Sequence, residues 1–172
     1  MVVGEERLSQ GLRDAGIRVE DGRCGVDLVV TAMDLHFNYE KLRKAQAALL
    51  GGALFWATNL DASLPVAHGF LPGAGSIVAA ISTAAGRGPD RVFGKPSPDM
   101  AHLALEQLGL PAASCLVVGD RMETDILFAR NAGIDSALVL TGAGSRDDLS
   151  RFPFAPAYVL EGISDLSTLF SP

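Results

Sequence analysis

The chain has 172 residues, 48% hydrophobic and 20% charged, a composition that describes a globular protein and excludes a disordered one. Its formal net charge of −6 speaks against nucleic acid or an anionic membrane as the main partner, so an anion-handling site would need a metal or a local cation. No apolar run reaches the roughly 20 residues of a membrane span, and the opening MVVGEERLSQ is not a secretory leader, so a cytoplasmic location with no membrane contact is expected.

In chain order, residues 5–16 place Leu8, Leu12 and Ala15 on one helical face and close at Gly16. Cys24 stands before Val26 to Met33, a continuous apolar run with the pattern of a buried strand. Asn38 is an N-cap candidate for a helix through Leu50, where Gly51 and Gly52 stop it. Leu54 to Thr58 is the next strand, and residues 59–70 read as a loop. Leu71-Pro72-Gly73 then reads as a hinge, which sets expected domains of 1–71 and 72–172.

The second section opens with a helix of small residues, Gly73 to Ala85, ended by Gly86. Arg91 to Gly94 is a short extended piece, and Ser97-Pro98 starts a helix to Leu108 with proline in its tolerated first position. Strand Cys115 to Val118, helix Thr124 to Ala132, and strands Ala137 to Leu140 and Tyr158 to Leu160 follow. Strands alternating with helices of this length imply an α/β fold with a mostly parallel sheet, whose ligands bind beyond the carboxyl ends of the strands. Thr58-Asn59, Gly119-Asp120 and Thr141-Gly142 all fall at such ends. Cys24 and Cys115 belong to no CxxC or Cys/His cluster and read as buried thiols in a reducing compartment. His36, His68 and His102 have no metal-ligand spacing.

Two motifs carry chemistry. In Val117-Val118-Gly119-Asp120-Arg121-Met122-Glu123-Thr124-Asp125 an apolar strand delivers one carboxylate to its end, and a second follows five residues later at a helix start. Two hard oxygen ligands on a tight turn suit Mg²⁺, which takes one or two protein carboxylates and keeps its waters. The alternative is that Asp120 caps a turn and Asp125 complements the helix dipole. In Phe93-Gly94-Lys95-Pro96-Ser97-Pro98, Lys95 has a fixed backbone and a mobile ammonium, able to neutralise a phosphoryl oxygen or simply to be solvated. Lys95 precedes Asp120 by one helix and one strand. A receiver domain would place its acceptor Asp before its Lys, and Gly73-Ala74-Gly75 lacks the GxGxxG spacing of a dinucleotide site.

The ordered set Gly94-Lys95-Pro96-Ser97-Pro98, Val118-Gly119-Asp120-Arg121 and Thr124-Asp125 resembles the third and fourth motifs of the haloacid dehalogenase superfamily. Ala57-Thr58-Asn59 with Asp61, and Pro72-Gly73-Ala74-Gly75-Ser76-Ile77, resemble its NagD-like, C2-capped phosphatases. Val2-Val3-Gly4-Glu5 resembles the entry into the cap, and Val139-Leu140-Thr141-Gly142 the strand after the fourth motif. The resemblance implies a C2-type α/β cap, here 1–71, followed by the carboxy-terminal half of a Rossmann-like parallel-sheet core, here 72–172. It implies Mg²⁺-dependent hydrolysis of small phosphorylated metabolites through an aspartyl-phosphate. Asp120 would bind Mg²⁺, and Asp125 would hold a metal-bound water or orient Asp120. Lys95 would stabilise the phosphoryl charge. The loop from Thr58 to Phe70, with Thr58, Asn59, Asp61 and His68, would meet the substrate, although a loop histidine is also commonly incidental.

The sequence departs from that pattern in one respect. The DxDG pair that supplies the nucleophile and the acid/base is absent; Asp147-Asp148 follows the last motif, and Asp27 and Asp34 stand seven residues apart. The chain therefore reads as missing an amino-terminal core segment. On that reading the 172-residue chain alone is inactive, and its sheet has an open edge calling for self-association or completion by that segment. The other expectation is a non-catalytic fragment that binds metal or phosphate weakly or acts as an interaction module.

Overall fold

The computed structural model describes residues 1–22 and 25–169, so the reading of Cys24 lies outside the described residues, while Cys115 is a half-buried free thiol. Two compact units divide at Gly94 and Lys95.

In the first unit β1 (Val2–Val3), β2 (Leu28–Thr31), β3 (Leu54–Ala57) and β6 (Arg91–Val92) form one parallel sheet in that order. Alternate residues Val3, Val29 and Phe55, all fully buried, face Ala45 and Leu49 of α2 (Tyr39–Leu50) and Ile77, Val78 and Ile81 of α3 (Ala74–Ala85). The caps follow the sequence. Asn38 Oδ1 accepts the Lys41 N–H at 3.0 Å, and Gly86 ends α3 with φ +72°. The first helix, α1, covers Glu6–Asp14.

Two expectations change here. Residues 59–70 are not an irregular loop: β4 (Ser63–Val66) and β5 (Gly69–Pro72) pair as an exposed antiparallel hairpin with His68 in its two-residue turn. And the first compact unit extends past the expected boundary at 71/72 to Gly94. The physical reason is packing: α3 buries its apolar face on α2 and the first sheet, and β6 then adds to β3. Pro72-Gly73 is no hinge. The Gly73 N–H donates to Ala62 O at 2.9 Å, and a Cβ there would stand 2.2 Å from Asp61 O.

In the second unit β7 (Leu116–Gly119), β8 (Asp135–Val139) and β9 (Tyr158–Leu160) form a parallel sheet, with β7 an end strand among the described residues. Helix α4 (Asp99–Leu108) starts after Pro98, which occupies the cap position and not the first helical one. It packs through Ala101 and Leu105 against Ala132 and Ile134 at the end of α5 (Leu127–Ala132). The helix expected from Thr124 opens as a π-helical turn, Met122–Ile126, before becoming regular. Met122 and Ile126 bury with Leu138, and with Leu149, Phe152 and Phe154 around them. Among the described residues, no helix is long and apolar enough to cross a membrane.

Candidate active site

The apolar run Leu116–Gly119 pairs in parallel with β8 and ends at Asp120, so this carboxylate leaves the sheet at the carboxyl end of a strand. Arg121 is extended, and the π turn then brings Asp125 back under the strand end. Its Oδ2 accepts the N–H groups of Asp120 and Arg121, each at 3.1 Å. Its Oδ1 accepts the Lys95 ammonium at 2.5 Å. The approach is close enough that Gly119 has no room for a side chain: a Cβ would stand 2.2 Å from Asp125 Cβ. The Asp125 side chain is 8% exposed and that of Lys95 54% exposed, so a buried anion is matched by three donors while one side of the ammonium stays open to solvent. Asn131 Nδ2 steadies the Lys95-Pro96 turn by donating to Pro96 O at 2.8 Å.

Lys95, Asp120 and Asp125 are thus brought together within one unit. Their oxygens are not equivalent. Both of Asp125 are taken by protein donors, and Asp120 Oδ2 accepts the Ala143 N–H at 2.7 Å. Asp120 Oδ1 accepts no hydrogen bond among the described residues. Among those residues no three His, Cys, Asp or Glu side chains form a metal cluster. The donor set suits a hard, hydrated dication such as Mg²⁺ held through one protein oxygen, not a closed protein cage.

Thr58, Asn59 and Asp61 lie in the first unit, past the end of β3, and form their own chain. Thr58 Oγ1 donates to Asn59 Oδ1 at 2.9 Å, and Asn59 Nδ2 donates to Asp61 Oδ2 at 2.5 Å. Gly94 passes so near that a Cβ would be 2.7 Å from both Thr58 O and Asn59 Cβ. His68 is exposed at the hairpin tip. Sequence reasoning did not assign roles to Ala143, Gly144 and Asn131. Ala143 acts through its backbone N–H, which no residue type advertises; the glycines flanking it were the available signal.

Residues 92–166 match the HAD-hydrolase-like family model. The acid sugar phosphatase of Staphylococcus epidermidis is 36% identical over 163 residues, covering 95% of this chain and 62% of that protein. The ribonucleotide monophosphatase NagD of Escherichia coli is 34% identical over 168 residues, covering 98% and 65%. A solved 4-nitrophenylphosphatase from Thermotoga maritima superposes with a TM-score of 0.89 at 37% identity, covering 98% of this chain and 64% of that one. The glycerol phosphate phosphatase of Mycobacterium tuberculosis, solved in complex with magnesium, gives 0.89 at 39% identity, covering 96% and 51%. The chain spans 62% to 65% of the length of these curated relatives. With the Lys95–Asp125–Asp120 arrangement at the strand end, these likenesses make the chain similar to the HAD-like hydrolases, on their NagD-like side, with the family-model match lying in residues 92–166.

Proposed function

We propose that this chain carries part of the active site of a Mg²⁺-dependent phosphoric monoester hydrolase acting on small phosphorylated metabolites. The observation that carries the reading is the Lys95–Asp125–Asp120 constellation at the carboxyl end of β7. Asp125 holds the Lys95 ammonium with one oxygen and the Asp120 backbone with the other. Lys95, open on its solvent side, neutralises a phosphoryl oxygen of the substrate. Asp120 Oδ1 would hold Mg²⁺, which when bound supplies positive charge against the phosphoryl oxygens.

The first unit serves as the cap and the second as the carboxy-terminal part of the catalytic core. Thr58, Asn59, Asp61 and His68 on the β3 end and the exposed hairpin are the substrate-facing group of that cap. Hydrolysis through an aspartyl-phosphate requires a nucleophilic Asp that no DxD pair of this sequence provides. A segment pairing with β7 would supply it, either as an amino-terminal core segment or from another chain. A cytoplasmic location belongs to the same proposal. A second reading, a weak metal- or phosphate-binding or interaction module, is favoured by Asp120 Oδ1 being, among the described residues, the one oxygen of Asp120 and Asp125 without a donor.

The test is phosphate release from a panel of sugar, glycerol and nucleoside monophosphates by the polypeptide extended with a DxDG-bearing segment ahead of Met1. Mg²⁺-dependent release lost on Asp120→Asn is the expected result. Release that persists undiminished in that variant would sink the assignment.

A further inference from the structure

A second loop closes on Asp120 from a part of the chain that the proposed chemistry does not use. Beyond β8 the backbone turns over the carboxylate, and the Ala143 N–H donates to Asp120 Oδ2 at 2.7 Å. Gly142 passes so close that a Cβ would stand 2.1 Å from Oδ2 and 2.4 Å from Asp120 Cβ. Gly144 is as tight against the backbone, with a Cβ 2.2 Å from Asp120 O. The turn is itself anchored. The Ser145 N–H and hydroxyl both donate to Asp148 Oδ2 at 2.8 Å, closing a capping box on the 3₁₀ turn Arg146–Ser150. Leu149 and Phe152 then pack on Met122, Ile126 and Leu138, the cluster that also supports the π turn.

We infer that the Gly142–Gly144 turn, held by the Ser145–Asp148 capping box, is a positioning element that ties down Asp120 Oδ2 and presents only Oδ1 to a ligand. A free aspartate side chain rotates and offers either oxygen or both. Here one oxygen is hydrogen-bonded and the Gly142 backbone fills the space on that side of the side chain. A cation that prefers ideal octahedral geometry and one-oxygen carboxylate contact gains from a donor fixed in advance. Asp148 thereby acts on the site through the turn, without touching a ligand itself.

The inference rests on Asp120 as the cation-binding group, so the test separates the two. In ¹⁵N-labelled 172-residue protein, the Ala143 amide proton is followed in the parent, Asp120→Ala, Gly142→Ala and Asp148→Ala. Mn²⁺ affinity is read in parallel from water-proton relaxation. Both Asp120→Ala and Gly142→Ala should shift the Ala143 amide proton upfield. Gly142→Ala and Asp148→Ala should weaken Mn²⁺ binding about tenfold or more, the range for outer-shell partners of a metal ligand. Asp148→Ala leaves every glycine in place and carries the test if Gly142→Ala fails to fold. An Ala143 amide proton unmoved by Asp120→Ala, or parent-like Mn²⁺ affinity in Asp148→Ala, overturns the inference. Parent-like Mn²⁺ affinity in Asp120→Ala overturns the cation-binding role itself, while the amide shift still decides whether the turn holds the carboxylate.

Discussion

Lys95 Nζ stands 2.5 Å from Asp125 Oδ1 across 30 residues of sequence, while the other oxygen of the same carboxylate holds the backbone of Asp120. One buried anion therefore couples the group proposed to meet the phosphoryl to the strand end proposed to meet the cation. Lys95 is half exposed but its partner Asp125 is 8% exposed, so removing Lys95 bears on stability as well as on chemistry. In the DxDG-extended polypeptide, Lys95→Ala should lower kcat by about 10²–10³, the usual loss on deleting one electrostatic stabiliser. Steady-state kinetics alongside urea melts checks this. A kcat within about threefold of the parent would make Lys95 a turn residue only.

Asp125→Asn should act on stability first. The amide cannot accept from Lys95 on one atom and from two backbone N–H groups on the other, because one of its two atoms is a donor. Losing charged hydrogen bonds at a buried site should cost about 1.5–3 kcal/mol of unfolding free energy. Chemical denaturation of the two proteins decides it. An unchanged midpoint would show that Asp125 is not the organiser of the strand end.

The 172-residue chain itself should not hydrolyse p-nitrophenyl phosphate with Mg²⁺. Charge neutralisation cannot replace the group that accepts the phosphoryl. With Asp120 Oδ1 the one oxygen of the Asp120–Asp125 pair without a donor among the described residues, its Mg²⁺ affinity should be on the order of millimolar. Isothermal titration and a colorimetric assay test both halves. Turnover abolished by Asp120→Asn in a clean preparation would contradict the first, and micromolar binding the second.

Hydrogen bonds from the Ser145 hydroxyl and N–H hold the Asp148 carboxyl below the ordinary aspartate value. A folded value below the unfolded one means that this stabilisation is complete above the unfolded value and is lost as pH falls through the lowered folded one. The capping box should therefore persist from neutral pH down to about pH 5 and open only below the ordinary carboxylate range. The Ser145 amide shift followed against pH reports it. A midpoint at or above the ordinary aspartate value would show that the bonds do not favour the ionised form.

The chemistry-bearing residues were legible because each sits in a local pattern. Lys95 lies between Gly and Pro ahead of a helix, Asp120 ends an apolar strand, and Asp125 follows at a helix start. What the pattern did not disclose was a matter of space and backbone. The hairpin 63–72 contains Pro65, Gly69 and Pro72, which read as loop, yet Pro65 pairs with Phe70 in the ladder. Pro72-Gly73 reads as a joint, but Gly73 is glycine because Asp61 O leaves no room. The unit boundary moved with it, since the fate of residues 74–92 is set by Ile77, Val78 and Ile81 burying on a sheet formed earlier in the chain.

The π turn at Met122–Ile126 has a consequence for insertions and deletions. Ile126 N–H reaches back five residues to Arg121 O at 3.1 Å, so the turn contains one residue more than regular α-helix would use. Deleting a residue there could restore regular helix without disturbing Ala129 and Ala132 of α5, whose places are fixed downstream. It would also swing the Asp125 position by about 100° around the helix axis, away from Lys95. A single codon gained or lost at this point thus retunes the strand-end chemistry while the supporting helix keeps its seat, and scaffold and site can diverge on separate schedules.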